Sequence, residues 1–343
     1  MKRYSACVIT VAACAAWPMG AAAQSSVTIY GRIDTSIDRV KTGSDTSTQM
    51  TSNASRLGFR GSEDLGDGLK AQFGLEMGVS SDTGGLSTPA FRNSYVGLSG
   101  GFGAVAVGRL DSATPTRTPL YALVTRHTEF VIHDAGATAV GTSILNARTR
   151  ESNAIGYASP VINNFVFRAG YYLNGDGITE AANTPVRFES DYKQSDVSLS
   201  YGEGSGPLGL GVGYGQNKKR GGALVNDVKD KWMAVASYDF GAVRAWVLFN
   251  RDNTQAGPAS RSKTDVHYVG ASWDLGSGKL VGNYMTKDVQ TNRDAKLKRF
   301  QVGYLYNLSK RTSLYAFLDR SDPNNRVAND VVRAAGIGVQ HNF

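Results

Sequence analysis

The sequence predicts an all-β protein: a 16-stranded antiparallel transmembrane β-barrel with one long connection folded into the lumen as the constriction of a pore. Three observations predict it. Sixteen segments alternate apolar and polar residues, joined by tight turns and longer polar loops in succession. No segment beyond the N-terminal leader approaches the 18 or so consecutive apolar residues that a spanning helix needs. One stretch, about 112–147 (SATPTRTPLYALVTRHTEFVIHDAGATAVGTSILN at its core), breaks the alternation. Long connections of this kind are usually functional.

The leader comes first. Lys2 and Arg3 give a positive start. Residues 7–17 (CVITVAACAAW) form an apolar run too short to cross a membrane, and Ala21-Ala22-Ala23 is a small-residue cleavage pattern. Cleavage between Ala23 and Gln24 makes residues 1–23 a secretory signal peptide and residues 24–343 the barrel domain. Both cysteines, Cys7 and Cys14, lie in the leader, which excludes disulfides, thiolate chemistry and cysteine metal sites from the exported part. Losing Lys2 and Arg3 lowers the formal net charge from +8 to +6. A basic balance points to nucleic acid, anionic lipid or small anions. Export argues against nucleic acid, and the scatter of the basic residues argues against a single polyanion patch.

From residue 26, VTIYGRIDTSID sets Val27, Ile29, Gly31, Ile33 and Ile37 on one face and Tyr30, Arg32, Asp34 and Asp38 on the other. A polar loop rich in Ser and Thr is expected over 41–55. Leu57 and Phe59 then alternate with Arg56 and Arg60. After the turn EDLGDG, Ala71, Phe73, Leu75 and Met77 oppose Lys70, Gln72, Gly74 and Glu76. Segments 94–98 and 104–109 repeat the hairpin. Beyond the long stretch come strands at 152–159, 165–172, 188–201, 208–214, 231–238 and 242–249. Those at 267–273, 279–285, 300–306, 313–318 and 332–343 finish the chain. Sixteen strands over the 320 residues left after the leader give 20 residues per strand and connection. Spanning barrel strands need about 9–11 residues, with short turns at one rim and longer loops at the other.

Aromatic residues gather near strand ends: Trp232, Tyr238, Phe240, Trp246, Phe249, Tyr268, Trp273, Tyr284, Tyr304, Tyr306, Tyr315 and Phe317. Amphipathic rings favour the headgroup level and predict two girdles. A lipid-exposed sheet edge would leave backbone groups unpaired, so the first and last strands are expected to pair.

The runs SSVTIYGRID, SRLGFRGSEDLGDGLKAQFGLE, SYVGLSGGFGAVAVGR and the terminal GIGVQHNF resemble the Gram-negative general porins, particularly those of β-proteobacteria and Neisseria. The resemblance covers essentially the whole mature chain. It implies an outer-membrane homotrimer with the third loop inside each barrel. It also implies that the C-terminal aromatic, Phe343, is the signal read by the outer-membrane assembly machinery. The Pro-Glu-Phe-Gly run that marks the constriction loop of enteric members is absent, which leaves the path of the third loop open.

In a wide pore, charges at the narrowest ring set selectivity. Alternation puts Arg32, Arg56, Arg60 and Lys70 on the lumen side, and the third loop offers Arg117, Arg126, Glu129 and Asp134. Arg92 and Arg109 are further candidates. Strict alternation sets them with Val96, Leu98, Val105 and Val107, so each needs a bulge, or a place above the lipid, to reach water. A lipid-facing charge at the midplane costs about 2–4 kcal/mol. His127, Glu129, His133 and Asp134 resemble a metal donor set, but no regular element fixes their spacing, and polar loop residues are the simpler reading. No activated nucleophile is marked. LGLGVG at 208–213 reads as alternating strand, not a phosphate loop.

These residues predict a general-diffusion channel with modest anion preference. It would need no cofactor, metal or nucleic acid, and its partners would be outer-membrane lipid, copies of itself, the assembly machinery and small hydrophilic solutes and ions. The alternative within the same fold is a channel specific for an anionic solute such as phosphate or an organic acid. A binding or adhesive barrel would carry longer, more varied loops.

Overall fold

A computed structural model describes residues 26–130, 145, 147–173, 192–219, 227–255, 261–290, 295–324 and 331–343. The cleavage pair Ala23 and Gln24, the loop residues His133 and Asp134, and the start of the strand expected at 188–201 lie outside them. The chain begins with β1 (Ser26–Thr42), β2 (Asp45–Ser52), β3 (Arg56–Gly66), β4 (Leu69–Val79), β5 (Leu86–Gly100) and β6 (Gly103–Asp111). Helix α1 (Pro119–His127) follows, then β7 (Arg150–Ala158), β8 (Phe165–Tyr172), β9 (Tyr192–Tyr201), β10 (Leu208–Lys219) and β11 (Asp227–Asp239). The sheet ends with β12 (Val243–Gln255), β13 (Arg261–Leu275), β14 (Gly278–Gln290), β15 (Ala295–Asn307), β16 (Thr312–Asn324) and β17 (Val332–Asn342).

All seventeen belong to one antiparallel sheet, and β1 pairs with β17 from Arg32↔Asn342 to Thr42↔Val332, which closes it. β1 also pairs with β2 over Thr35–Thr42 and with β3 over Ser26–Arg32. β2 and β3 are therefore one wall strand interrupted at Asn53–Ser55, and the barrel has sixteen walls. The interruption is pinned: the Asp34 N–H donates to Ser55 Oγ at 3.0 Å, and Asn53 Nδ2 donates to the Tyr315 hydroxyl at 2.8 Å.

The Ser/Thr-rich stretch expected as a loop is largely β2. Its polar residues hide the strand from a search for apolar alternation, although Thr suits a pleated sheet well. Other strands also outrun their apolar segments. β13 covers 15 residues, about twice the span read from sequence, because its far end carries polar residues above the apolar band.

The faces are strict. Val27, Ile29, Ile33 and Ile37 are exposed outward, whereas Asp34, Ser36 and Asp38 are buried inward. An apolar exterior recurs in Val96, Leu98, Val212, Val247, Val269 and Ile337. Among the aromatic candidates, Trp232, Tyr238, Phe240, Trp273, Tyr284, Tyr304 and Tyr306 face outward as expected. Trp246, Tyr268, Tyr315 and Phe317 do not: they are buried inward, so position near a strand end misassigned their face.

The inward side has an apolar sector as well. Leu120, Leu123 and Val124 of α1, with Phe130, pack with Met233, Val235, Trp246, Leu248, Val266, Tyr268 and Met285 of β11 to β14. Helix α1 itself lies against β8 to β11. β10 makes this approach possible. Its outward residues are Leu208, Leu210 and Val212, and its inward residues are Gly209, Gly211, Gly213 and Gly215. A Cβ at Gly211 would stand 2.6 Å from Leu123 Cδ2, and one at Gly213 would stand 2.6 Å from Leu120 Cδ2. The helix rests on a bare strip of backbone.

Replacing Gly211 and Gly213 together by Val is expected to overpack this contact at a cost of about 1–3 kcal/mol. Hydrogen exchange of residues 119–127 in the folded barrel should accelerate severalfold. Gly282→Val, at a site with nothing within 4 Å of the added Cβ, should leave that exchange unchanged.

Candidate functional site

The inward face of β1, β3, β4 and β5 carries a cluster of arginines. Arg32 and Arg56 are register partners across β1 and β3. Arg92 reaches the same place through a bulge: Asn93 pairs with Glu76 and Phe91 with Met77, leaving Arg92 as the extra residue. Its Nε donates to Glu76 Oε1 at 2.7 Å, and Arg56 Nε lies 3.8 Å from Glu76 Oε2. Arg32 Nε donates to Asn342 Oδ1 at 3.1 Å. Arg60 sits on the same face of β3, over the Tyr30 ring at 4.8 Å. Lys70 continues this face of β4 beside the tight turn.

The arginines keep accessible surface and the carboxylates do not. The side chains of Arg56 and Arg92 are 26% and 15% exposed, against 2% for Glu76. Asp34 accepts a 2.6 Å bond from the Tyr315 hydroxyl, and Asp111 accepts one from Asn93 Nδ2 at 3.2 Å. Both are buried. The accessible charge on this face is therefore guanidinium. Sequence analysis placed Glu76 on the polar face but gave it no role; the bulge that brings Arg92 to it leaves no clear mark in residue pattern.

Arg109 requires a correction. A bulge is present between Gly108 and Leu110, yet Arg109 pairs with Ser94 and keeps the side of Val105 and Val107. Its Nε donates to the Phe91 carbonyl at 3.0 Å and its Nη1 to Ser152 Oγ at 2.5 Å. The guanidinium is anchored against the outside of the sheet, and Arg109 is not on the arginine face.

The segment after β6 forms a second group at the tight-turn end. Arg117 has φ +52° and donates from Nη1 to the Ser112 carbonyl. Burial, then the neighbouring Arg126 and Arg168, hold its pKa down at about 10. Arg126, in the last turn of α1, lies 3.4 Å from Glu203. Arg168, on β8, grips both Glu203 oxygens at 2.5 and 2.6 Å. Sequence analysis missed Arg168 and Glu203, which lie far apart in the chain. Glu129 bridges Arg244 and Lys279 at 3.2 Å each, and its carbonyl accepts the Tyr268 hydroxyl. It ties the end of the helical segment to β12 and β14.

His127 is 2% exposed, with Nε2 2.8 Å from Ser200 Oγ and Nδ1 3.4 Å from Ser237 Oγ. It is a packing residue under the helix and does not share a site with Glu129. Among the described residues no group of three His, Cys, Asp or Glu side chains is placed to hold a metal. At the other end of the chain, the Phe343 N–H donates to the Gly31 carbonyl and the Gly31 N–H to Phe343 O, each at 3.1 Å. A Cβ on Gly31 would strike the Phe343 ring.

A closed sixteen-walled barrel, apolar outside and charged within, defines a pore-forming β-barrel. A Gram-negative porin family model matches residues 10–326, and the chain belongs to that family. It is 34% identical to outer membrane porin protein 32 of Delftia acidovorans over 312 residues, covering 88% of this chain and 86% of the relative. It is 25% identical over 344 residues to the major outer membrane protein P.IB of Neisseria meningitidis, covering 94% and 95%. Among solved structures, an anion-selective porin from Comamonas acidovorans aligns with a TM-score of 0.76 and 28% identity over 93% of this chain and 100% of that one. A trimeric form of Vibrio cholerae OmpT shares the fold at 16% identity and TM-score 0.70, over 93% and 99%.

The buried His127 predicts a pH dependence of helix docking. Burial, partly offset by Glu203 and reinforced by Arg244, Arg126 and Arg168, lowers its pKa from 6.5 to about 4. A depressed histidine pKa leaves docking fully stable above pH 6.5. Docking then weakens as pH falls toward 4, because the undocked ring takes up the proton first, by at most about 3 kcal/mol. Hydrogen exchange of residues 119–127, corrected for its intrinsic pH dependence, should show this loss between pH 7 and pH 4.5, and His127→Asn should abolish it.

Proposed function

We propose that this chain is an outer-membrane general-diffusion porin: a water-filled channel through which small hydrophilic solutes and ions pass down their gradients, with a modest preference for anions. One observation carries the charge preference. On the inward face, Arg32, Arg56 and Arg92 surround Glu76, and the guanidinium groups stay accessible while the carboxylate is buried. Cations approaching that wall meet repulsion, and anions exchange hydration water for mobile contacts. Arg60 and Lys70 extend the basic face toward the tight-turn rim.

The opposite sector is narrowed by residues 112–130, whose helix is seated on the glycine strip of β10. This supports the reading of the long connection as the constriction segment, with Arg117, Arg126 and Glu129 on it. The channel reading requires no catalytic step and no cofactor. A homotrimer follows from family likeness, including the trimeric form of OmpT. In the same reading residues 1–23 are the export leader, removed between Ala23 and Gln24, and Phe343, packed on Gly31, presents the signal to the assembly machinery.

Planar-bilayer recording of the mature protein under a KCl gradient should give stable conductance steps in multiples of three and a reversal potential favouring chloride. Replacing Arg56 and Arg92 together by Gln should lower the chloride-to-potassium permeability ratio severalfold while conductance persists. Potassium preference in the wild type would sink the assignment of the arginine wall.

A further inference from the structure

A cavity of about 340 Å³ lies inside the tight-turn end of the barrel, away from the Glu76 cluster, and is lined by Arg117, Arg126, Arg168, Glu203, Thr114 and Ser159 among others. Three guanidinium groups share one carboxylate, a formal excess of +2. Glu203 is fully engaged: Arg168 binds both of its oxygens and Arg126 lies at 3.4 Å. Arg168 is 4% exposed, and its Nε is buried with no hydrogen-bond partner among the described residues. A buried charged donor without an acceptor is costly, and a single carboxylate leaves two of the three guanidinium charges uncompensated. Arginine forks match planar carboxylates and tetrahedral phosphates with paired N–H donors.

We propose that this cavity is a binding subsite for a small dianion, of the size and charge of hydrogen phosphate or a short dicarboxylate. The anion would sit between Arg117 and Arg126, with Arg168 supplying the buried base of the site and the hydroxyls of Thr114 and Ser159 at its margin. The subsite rests on the channel reading for its role in transport but not for its occupancy. In transport it would hold a dianion at the tight-turn end of the path, beyond the Arg32, Arg56 and Arg92 wall. It would make current saturate for such anions and not for chloride.

The test has two readouts on the full mature protein, folded in detergent and in bilayers. Calorimetric titration with inorganic phosphate reads occupancy whether or not the channel conducts. Phosphate block of chloride current reads its effect on transport. Saturable binding is expected in both, and Arg126→Gln should raise the dissociation constant and the half-blocking concentration together by about tenfold or more, since one charge-assisted contact is lost. The Arg126 side chain is 40% exposed on the helix, so the substitution should leave the fold intact. Glu203→Gln, which removes the competing carboxylate, should tighten binding. Absence of saturable phosphate binding overturns the subsite and leaves the porin reading standing. Binding unaffected by Arg126→Gln but lost in Arg56→Gln overturns it too, by placing the anion at the other wall. Phosphate binding without any chloride current upholds the subsite and overturns the channel.

Discussion

Closure of the sheet is the constraint on which the rest of this structure depends. In hydrocarbon an unpaired backbone N–H or C=O has no water to turn to, so a spanning sheet must have no edge. β1 meets β17 over an eleven-residue register, and the last residue, Phe343, exchanges two backbone bonds with Gly31. Once the ring is closed, every strand has one face outward and one inward. A slip of one residue would exchange Val27, Ile29 and Ile33 for Tyr30, Arg32 and Asp34. Outward charge at the midplane would cost about 2–4 kcal/mol per arginine or lysine. Closure therefore fixes the location of nearly all the charge.

The inner wall that results is divided. From β1 to β5 it carries arginines around a buried glutamate. From β10 to β14 it combines the glycine strip and an apolar cluster with buried polar groups such as the Lys231–Asp252 pair, Asn250 and Asn283. The segment after β6 covers it: Leu120 and Leu123 meet the glycine strip, Phe130 stacks on Tyr268 with ring centroids 5.7 Å apart, and Glu129 fixes the end between Arg244 and Lys279. The helical segment is thus held by the glycine strip, the apolar cluster and the Arg244–Glu129–Lys279 bridge, and leaves the arginine face of β1 to β5 open. This arrangement accounts for the apolar inward residues of β11 to β14.

Much of the fold was legible because a spanning strand must announce itself every second residue. Sixteen alternations gave sixteen walls, and parity placed Arg32, Arg56, Arg60 and Lys70 on the inward face. Parity failed where the backbone departs from it. The bulge at Arg92 turns that side chain inward, whereas the irregularity at Arg109 does not, and nothing in the residues nearby distinguishes the two. β2 was missed since Thr and Ser above the apolar band have no apolar partner to alternate with. Trp246, Tyr268, Tyr315 and Phe317 were assigned outward because strand ends enrich aromatics on both faces. The alternation LGLGVG marked a strand but not why its inward positions are bare. That reason is a helix distant in sequence, and the Arg168–Glu203 grip is likewise a contact between separate strands and turns.

The central claim is that the arginine wall faces the conduction path while the β11 wall is sealed beneath the helix. Both natural cysteines, Cys7 and Cys14, precede β1, so single cysteines can be introduced into strands that carry no other thiol. The most direct measurement compares Arg92→Cys with Val235→Cys during bilayer recording, with a negatively charged, water-soluble thiol reagent applied to the open channel. The account predicts rapid modification at position 92 with a fall in chloride current, and protection at position 235. Equal modification of both, or modification at 92 without effect on the current, would contradict it.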